Sequence, residues 1–140
     1  ASGEIILDPF QEGNLIAEWA AAGWVRHCHA RACVPNNPKN TLAHHPDGRV
    51  GRGIQIPFKK PGPGEYHADW DEAALEPWKE GIRILMRHHA ADPLGKLGQI
   101  STEFIPNTDY GEGGKYSLFE QGVACTEWMR QTWTEIRTGG

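Results

Sequence analysis

The chain has 140 residues, with 14 basic against 18 acidic side chains and a net charge of -4. That length suits one modest domain with a real core, and the mildly acidic balance gives no electrostatic footprint for a polyanion, so nucleic acid is excluded as a partner. The longest apolar runs fall far short of a membrane span and the N-terminus lacks the succession of a secretory signal, so the expected product is soluble and cytoplasmic, with no membrane partner.

The first strand is expected at Glu4 to Asp8, followed by a helix of about Glu12 to Ala22 in which Leu15, Ile16 and Trp19 recur at helical spacing. Gly23 supplies a stop for that helix. Trp24 to Ala32 reads as the second strand. A long loop follows at about 34–69, where most of the ten prolines fall, with an excursion at Gly53-Ile54-Gln55-Ile56-Pro57-Phe58. Unstructured loops of more than about 15 residues are usually functional covers or disordered segments, and this one leaves the end of the second strand.

Asp69 or Asp71 can cap a short helix, with Pro77 at a second helical start and the main helix running to about His89. Trp78, Ile82, Leu85, Met86 and His89 make its expected buried stripe. Gly98 to Pro106 contains the third strand. The last helix opens with Ser117-Leu118-Phe119-Glu120, the pattern of a capping box in which serine and glutamate satisfy opposite orphan amides. Its core face is Leu118, Gly122, Cys125, Met129, Trp133 and Ile136. The six tryptophans are assigned to core and sheet-covering roles, with Trp70 near the loop's end able to flank a substrate.

The alternation of strands and helices predicts a parallel α/β sheet with crossover helices. Three parallel strands leave two unpaired edges, so the chain is expected to be incomplete as a single domain. The cysteines, Cys28, Cys33 and Cys125, fit no zinc spacing and no redox pair; buried thiols in a reducing compartment are the plain reading, beside a disulfide between Cys28 and Cys33.

The strand ends carry the chemistry. Ile5-Ile6-Leu7-Asp8-Pro9 ends on Asp8, Val25-Arg26-His27-Cys28-His29-Ala30-Arg31 sets His27, His29 and Arg31 at alternate positions, and Gln99-Ile100-Ser101-Thr102-Glu103 does the same for Ser101 and Glu103. Alternate side chains share a face, so these oxygen and imidazole groups can converge on one divalent metal. Each has a plain competitor. Asp8 before Pro9 can open a turn and cap the next helix, and the histidines can be ordinary packed strand residues. Glu103 is harder to explain so, because an inward carboxylate at an apolar strand end is costly without a cation or donors. His44-His45 and His88-His89 read as solvated pairs at a loop and a helix end.

These segments resemble the C-terminal part of the xylose-isomerase-like TIM barrels, the sugar isomerase and epimerase superfamily. The resemblance covers nearly the whole of residues 1–140 and implies the last three strand–helix units of a (β/α)8 barrel, incomplete as a single chain. It matches Asp8 in Leu7-Asp8-Pro9-Phe10, His29 in His27-Cys28-His29 and Glu103 in Ser101-Thr102-Glu103-Phe104 to three of the family's four metal ligands. It makes Glu103 also one of two acid/base carboxylates. The Pro61-Gly62-Pro63-Gly64-Glu65 turn and the following Asp69-Trp70 resemble a glycine-rich turn of these barrels.

The resemblance implies one divalent ion, most readily Mn2+, with Mg2+, Co2+ or Zn2+ as substitutes. Gln11, His27, Arg31 and Trp70 would be substrate-binding, and the partner would be a small sugar or sugar derivative. A second polypeptide, or self-association, would supply the remaining strands. Three departures stand out: Gln11 occupies a position where epimerases often have histidine, the family's first catalytic glutamate belongs to an earlier strand outside residues 1–140, and the segment from Val34 to Lys60 is longer than the common pattern. Gln11 and the long segment leave room for a lyase or deglycosidase acting on an oxidised sugar, and a non-catalytic binding piece is the reading from a different class.

Overall fold

A computed structural model of the chain describes residues 7–34, 55–67, 70–92, 94–106 and 114–139. The elements in chain order are α1 (Leu15–Ala21), β1 (His27–Ala30), β2 (Tyr66–His67), a 3-10 turn (Glu72–Leu75), α2 (Glu76–Ala91), β3 (Gln99–Thr102), β4 (Gly114–Lys115) and α3 (Leu118–Thr138). The protein is therefore mixed α/β. β1 and β3 pair in parallel, with His27 opposite Gln99, Cys28 opposite Ile100, His29 opposite Ser101 and Ala30 opposite Thr102. A parallel pair needs a crossover, and α2 lies in it, so β1, α2 and β3 form the expected strand–helix–strand unit. β2 and β4 make a small antiparallel pair that sequence patterning does not reveal. The predicted strand at Glu4 to Asp8 and the histidines His44 and His45 lie wholly or largely outside the described residues.

α1 is shorter than its apolar spacing suggests because two residues act before it. Gly13 takes a left-handed φ of 69°, and the Asn14 side chain accepts from the Ala17 amide at 3.1 Å, which makes Asn14 the N-cap. The end is as expected. Gly23 has φ 71°, its amide donates to Ala20 O at 2.9 Å, and the Trp24 amide donates to Trp19 O at 3.0 Å. This is the paired hydrogen bonding of a Schellman stop, which a Cβ at that φ would strain.

α1 packs on α2 at Gly81, where an added Cβ would stand only 3.0 Å from Ile16 Cδ1. With Ile16 and the buried Ala20 turned to that contact, Trp19 is 45 % exposed and Trp24 is 72 % exposed. The expected core role of Trp19, and the general one given to the tryptophans, is corrected at these two positions.

One core cluster lies between the sheet and the two long helices: Ala30, Ile82, Met86, Cys125 and Met129, flanked by Cys28, Ile100 and Phe104. The second consists of Ala32, Val34, Ile56 and Leu75. Cys28, Ala30 and Ala32 therefore face inward, which turns His27, His29 and Arg31 to the other side of the sheet. The cysteines are free thiols. Burial pushes the Cys125 thiol up to about 11, and the Cys33 thiol likewise up to about 11, so neither is poised as a nucleophile.

α2 starts where predicted. Asp71 caps the 3-10 turn by accepting from the Ala73 amide at 2.9 Å, and Pro77 stands in the first turn of the helix. The predicted stripe omits Lys79, which is buried. Its ammonium lies 5.5 Å from the Phe58 ring centroid and 6.0 Å from that of Trp128, and pairs with Glu72 at 3.2 Å and Glu76 at 3.4 Å. The aromatic faces and two carboxylates offset the desolvation of the ammonium. His89, expected both in the α2 stripe and in a solvated pair, follows the stripe: it is half-buried and its ring stacks on Trp133 with centroids 5.5 Å apart.

The start of α3 differs from a simple capping box. Ser117 Oγ accepts from the Glu120 amide at 3.3 Å, but the Glu120 carboxylate turns away to Lys59 Nζ at 2.8 Å. The Ser117 amide donates instead to Glu65 Oε1 at 2.6 Å, and Gly62 N donates to Glu65 Oε2 at 2.8 Å. These backbone donors, Gly62 first and Ser117 second, hold the Glu65 carboxyl below the usual glutamate range.

A carboxyl so lowered contributes stability that is present above its unfolded value and lost as pH falls through its folded one. Amide exchange at Ser117 should therefore accelerate as pH drops below the ordinary glutamate range, relative to the intrinsic rate. Glu65→Gln should abolish that dependence; an unchanged profile in the variant would assign it elsewhere. Among the described residues, no helix is long and apolar enough to cross a membrane.

Candidate active site

The polar face of the β1–β3 pair carries the site. Alternation along β1 exposes His27 and His29, and alternation along β3 places Gln99 and Ser101 beside them in register. One step beyond each strand end, Arg31 meets Glu103. Arg31 Nη2 lies 3.1 Å from Glu103 Oε1, and His29 Nδ1 lies 3.2 Å from Glu103 Oε2. Lower on the same face, His27 Nε2 lies 3.4 Å from Ser101 Oγ, and the His27 and His29 ring centroids are 4.6 Å apart. The Glu103 amide donates to Ala30 O at 3.2 Å, which continues the ladder past the end of β3.

The side chain of His29 is 60 % exposed, that of Glu103 is 31 % and that of Arg31 is 18 %. A half-buried carboxylate is thus held by a mostly buried guanidinium on one oxygen and an accessible imidazole on the other. The Arg31 contact is charge-assisted and orients Glu103, while the accessible His29 ring leaves that side of the pair near solvent. A carboxylate with an imidazole can hold or move a proton, and the guanidinium can orient an oxygen-bearing substrate.

The other predicted site residues lie elsewhere in the architecture. Asp8 Oδ1 accepts from the Phe10 amide at 3.0 Å, and Asp8 O accepts from the Gln11 amide at 3.2 Å. Asp8 thus opens the turn into α1, the plain alternative for a residue before Pro9. Gln11 is exposed in that turn and its carbonyl accepts from Asn14 Nδ2 at 2.9 Å. Trp70 is half-buried, and its indole donates to Pro57 O at 2.8 Å, tying the loop's end to the segment after Gln55.

Among the described residues no three His, Cys, Asp or Glu side chains converge to hold a metal. His29 and Glu103 supply two donors. They face each other at 3.2 Å, and together they would hold one ion by one nitrogen and one oxygen. The donor types, imidazole and carboxylate, also suit Mn2+ or its divalent neighbours.

Two contributions escape sequence reading. The pairing of Arg31 with Glu103 follows from strand register, which the sequence does not state. Gln55 is buried and binds the backbone just after Glu103; its only signal is a polar side chain between Ile54 and Ile56. Comparisons with family models, with curated proteins and with solved structures give no match.

Proposed function

We infer that the chain supplies the C-terminal part of a metal-dependent sugar isomerase or epimerase of the xylose-isomerase-like barrel type. The observation that carries this reading is the meeting of His29, Arg31 and Glu103 at the ends of two parallel strands. Ligands of open α/β sheets gather at strand carboxyl ends, and this is where His29, Arg31 and Glu103 stand.

His29 and Glu103 would hold one divalent ion, with the further ligands supplied by neighbouring strands. The ion, Mn2+ by preference and Mg2+, Co2+ or Zn2+ by substitution, would polarise the substrate oxygen that gains charge in the transition state. Glu103 removes or returns the proton on the carbon beside the carbonyl, and a second carboxylate from the missing strands serves the opposite face. Arg31 keeps Glu103 aimed. His27, with Ser101 beside it, binds hydroxyl groups further down the same face. The remaining strands come from a second polypeptide or from self-association, because β1 and β3 are the only strands of their sheet among the described residues.

A second reading keeps the barrel and changes the reaction to a lyase or deglycosidase on an oxidised sugar. The exposed Gln11 favours it, since an amide can bind a hydroxyl but cannot relay a proton as imidazole does. Assay of the purified assembly with Mn2+ decides between them. Deuterium uptake beside the carbonyl of ketoses is expected for the isomerase, and release of the aglycone from 3-keto glycosides for the alternative. Inactivity on both with metal and partner present would leave a binding module.

A further inference from the structure

Gln55 stands on the return of the long loop, separated from β1 by 20 residues outside the described set. Its backbone is fixed to the end of the first strand: Gln55 makes an antiparallel bridge with Cys33, and the next amide, Ile56 N, donates to Ala32 O at 3.0 Å. Its side chain is fixed to the end of the other. Gln55 Oε1 accepts from Ile105 N at 2.9 Å, and Gln55 Nε2 donates to Ile105 O at 3.2 Å and to Tyr116 Oη at 3.2 Å.

One side-chain amide therefore pairs with both backbone groups of Ile105, as a neighbouring strand would. The orientation is determined, because a flipped amide would set donor against donor and acceptor against acceptor. Gln55 is 1 % exposed, so no water replaces these bonds when they are lost.

Glu103 stands at the first of two anchored backbone points. Its own amide is held by Ala30 O, and Ile105, two residues on, is held by Gln55. Phe104 between them packs against both core clusters, so the Gln55 bonds to Ile105 fix the backbone just past the residue that follows Glu103, and their loss frees that segment to turn the carboxylate away from its partners. We propose that Gln55 is a positioning residue for Glu103, by which the returning loop sets the carboxylate against His29 and Arg31. This deepens the proposed function and rests on it for the use made of Glu103, but the geometry it asserts is testable without sugar or metal.

The test is the protonation site of the His29 ring in metal-stripped protein at mildly alkaline pH, read from long-range 15N–1H correlation spectra. A carboxylate accepting from Nδ1 keeps the proton on that nitrogen. Gln55→Met removes both bonds to Ile105 and should lower the Nδ1–H share of His29 at least two-fold, toward the value in Glu103→Gln. Gln121→Met is the control. It deletes an equally buried amide whose Oε1 accepts from Lys59 N at 2.8 Å, and it should leave His29 as it is.

Should Gln55→Met fail to fold, Gln55→Asn gives the same reading, since it keeps a neutral buried amide but is one methylene too short to pair with both backbone groups of Ile105. A wild-type His29 signature in a folded Gln55 variant, or an equal loss in Gln121→Met, would overturn the proposal. A chain inactive on every sugar but showing the specific loss would retain the positioning role and give up the isomerase reading.

Discussion

Glu103→Gln should reduce deuterium exchange beside the carbonyl of a ketose by about 10²–10⁴-fold, the usual worth of a positioned acid/base group. Glutamine has nearly the same shape and can still accept from Arg31, so the fold should survive. It cannot take up the proton, and its neutral oxygen is a poor ligand for a divalent ion. The loss should fall on kcat when metal is saturating, because His27 remains to bind the substrate. Excess Mn2+ should not restore the rate. Full rescue by metal would make Glu103 a ligand only, and an unchanged rate would remove it from the chemistry.

Leu75→Ala should destabilise the chain by about 2–5 kcal/mol, the range for a large-to-small change at a buried site. Leu75 is fully buried at the end of the 3-10 turn, with Ala32, Val34 and Ile56 around it and Phe58 and Phe104 at the margin. Ala32 has no side chain long enough to close the gap, so the lost methyl groups leave a cavity rather than a repacked core. Urea unfolding with an unchanged slope should show the full loss as a lower midpoint. A change within about 0.5 kcal/mol, as at surface positions, would mean that this second cluster is not core. Because Phe104 follows Glu103 and lies against the same cluster, the variant should also weaken the site.

The readable parts of the fold are those set by local chemistry. Gly23 ends α1, Asp71 and Pro77 start the 3-10 turn and α2, and Ser117 caps α3, each for a reason confined to a few residues. Alternation in His27-Cys28-His29-Ala30-Arg31 and in Ser101-Thr102-Glu103 is likewise local, and it places the polar side chains on one face of the β1–β3 pair. Long-range choices were not legible. Nothing near Glu120 says that its carboxylate leaves the cap for Lys59 while Glu65 takes its place. Trp19 has the spacing of a core residue, but a one-sided contact at Gly81 leaves it in solvent. The same holds for Gln55, whose partner Ile105 is 50 residues away.

The site shows the same division. Residue types and strand phase nominate His29, Arg31 and Glu103, and register brings them together at 3.1–3.2 Å. Asp8 has an equally suggestive setting, yet its carboxylate satisfies the Phe10 amide two residues on, a local bond available to any aspartate opening a turn.

The most direct measurement is a native mass spectrum of the purified assembly after exposure to Mn2+, which reports partner and metal together. The account predicts a mass containing this chain, either a second polypeptide of about barrel-completing size or further copies of the chain, and one divalent ion per site, lost in His29→Ala and Glu103→Ala. A monomer that takes up no ion would contradict it, and the His29–Arg31–Glu103 cluster would then stand as a structural ion-pair network.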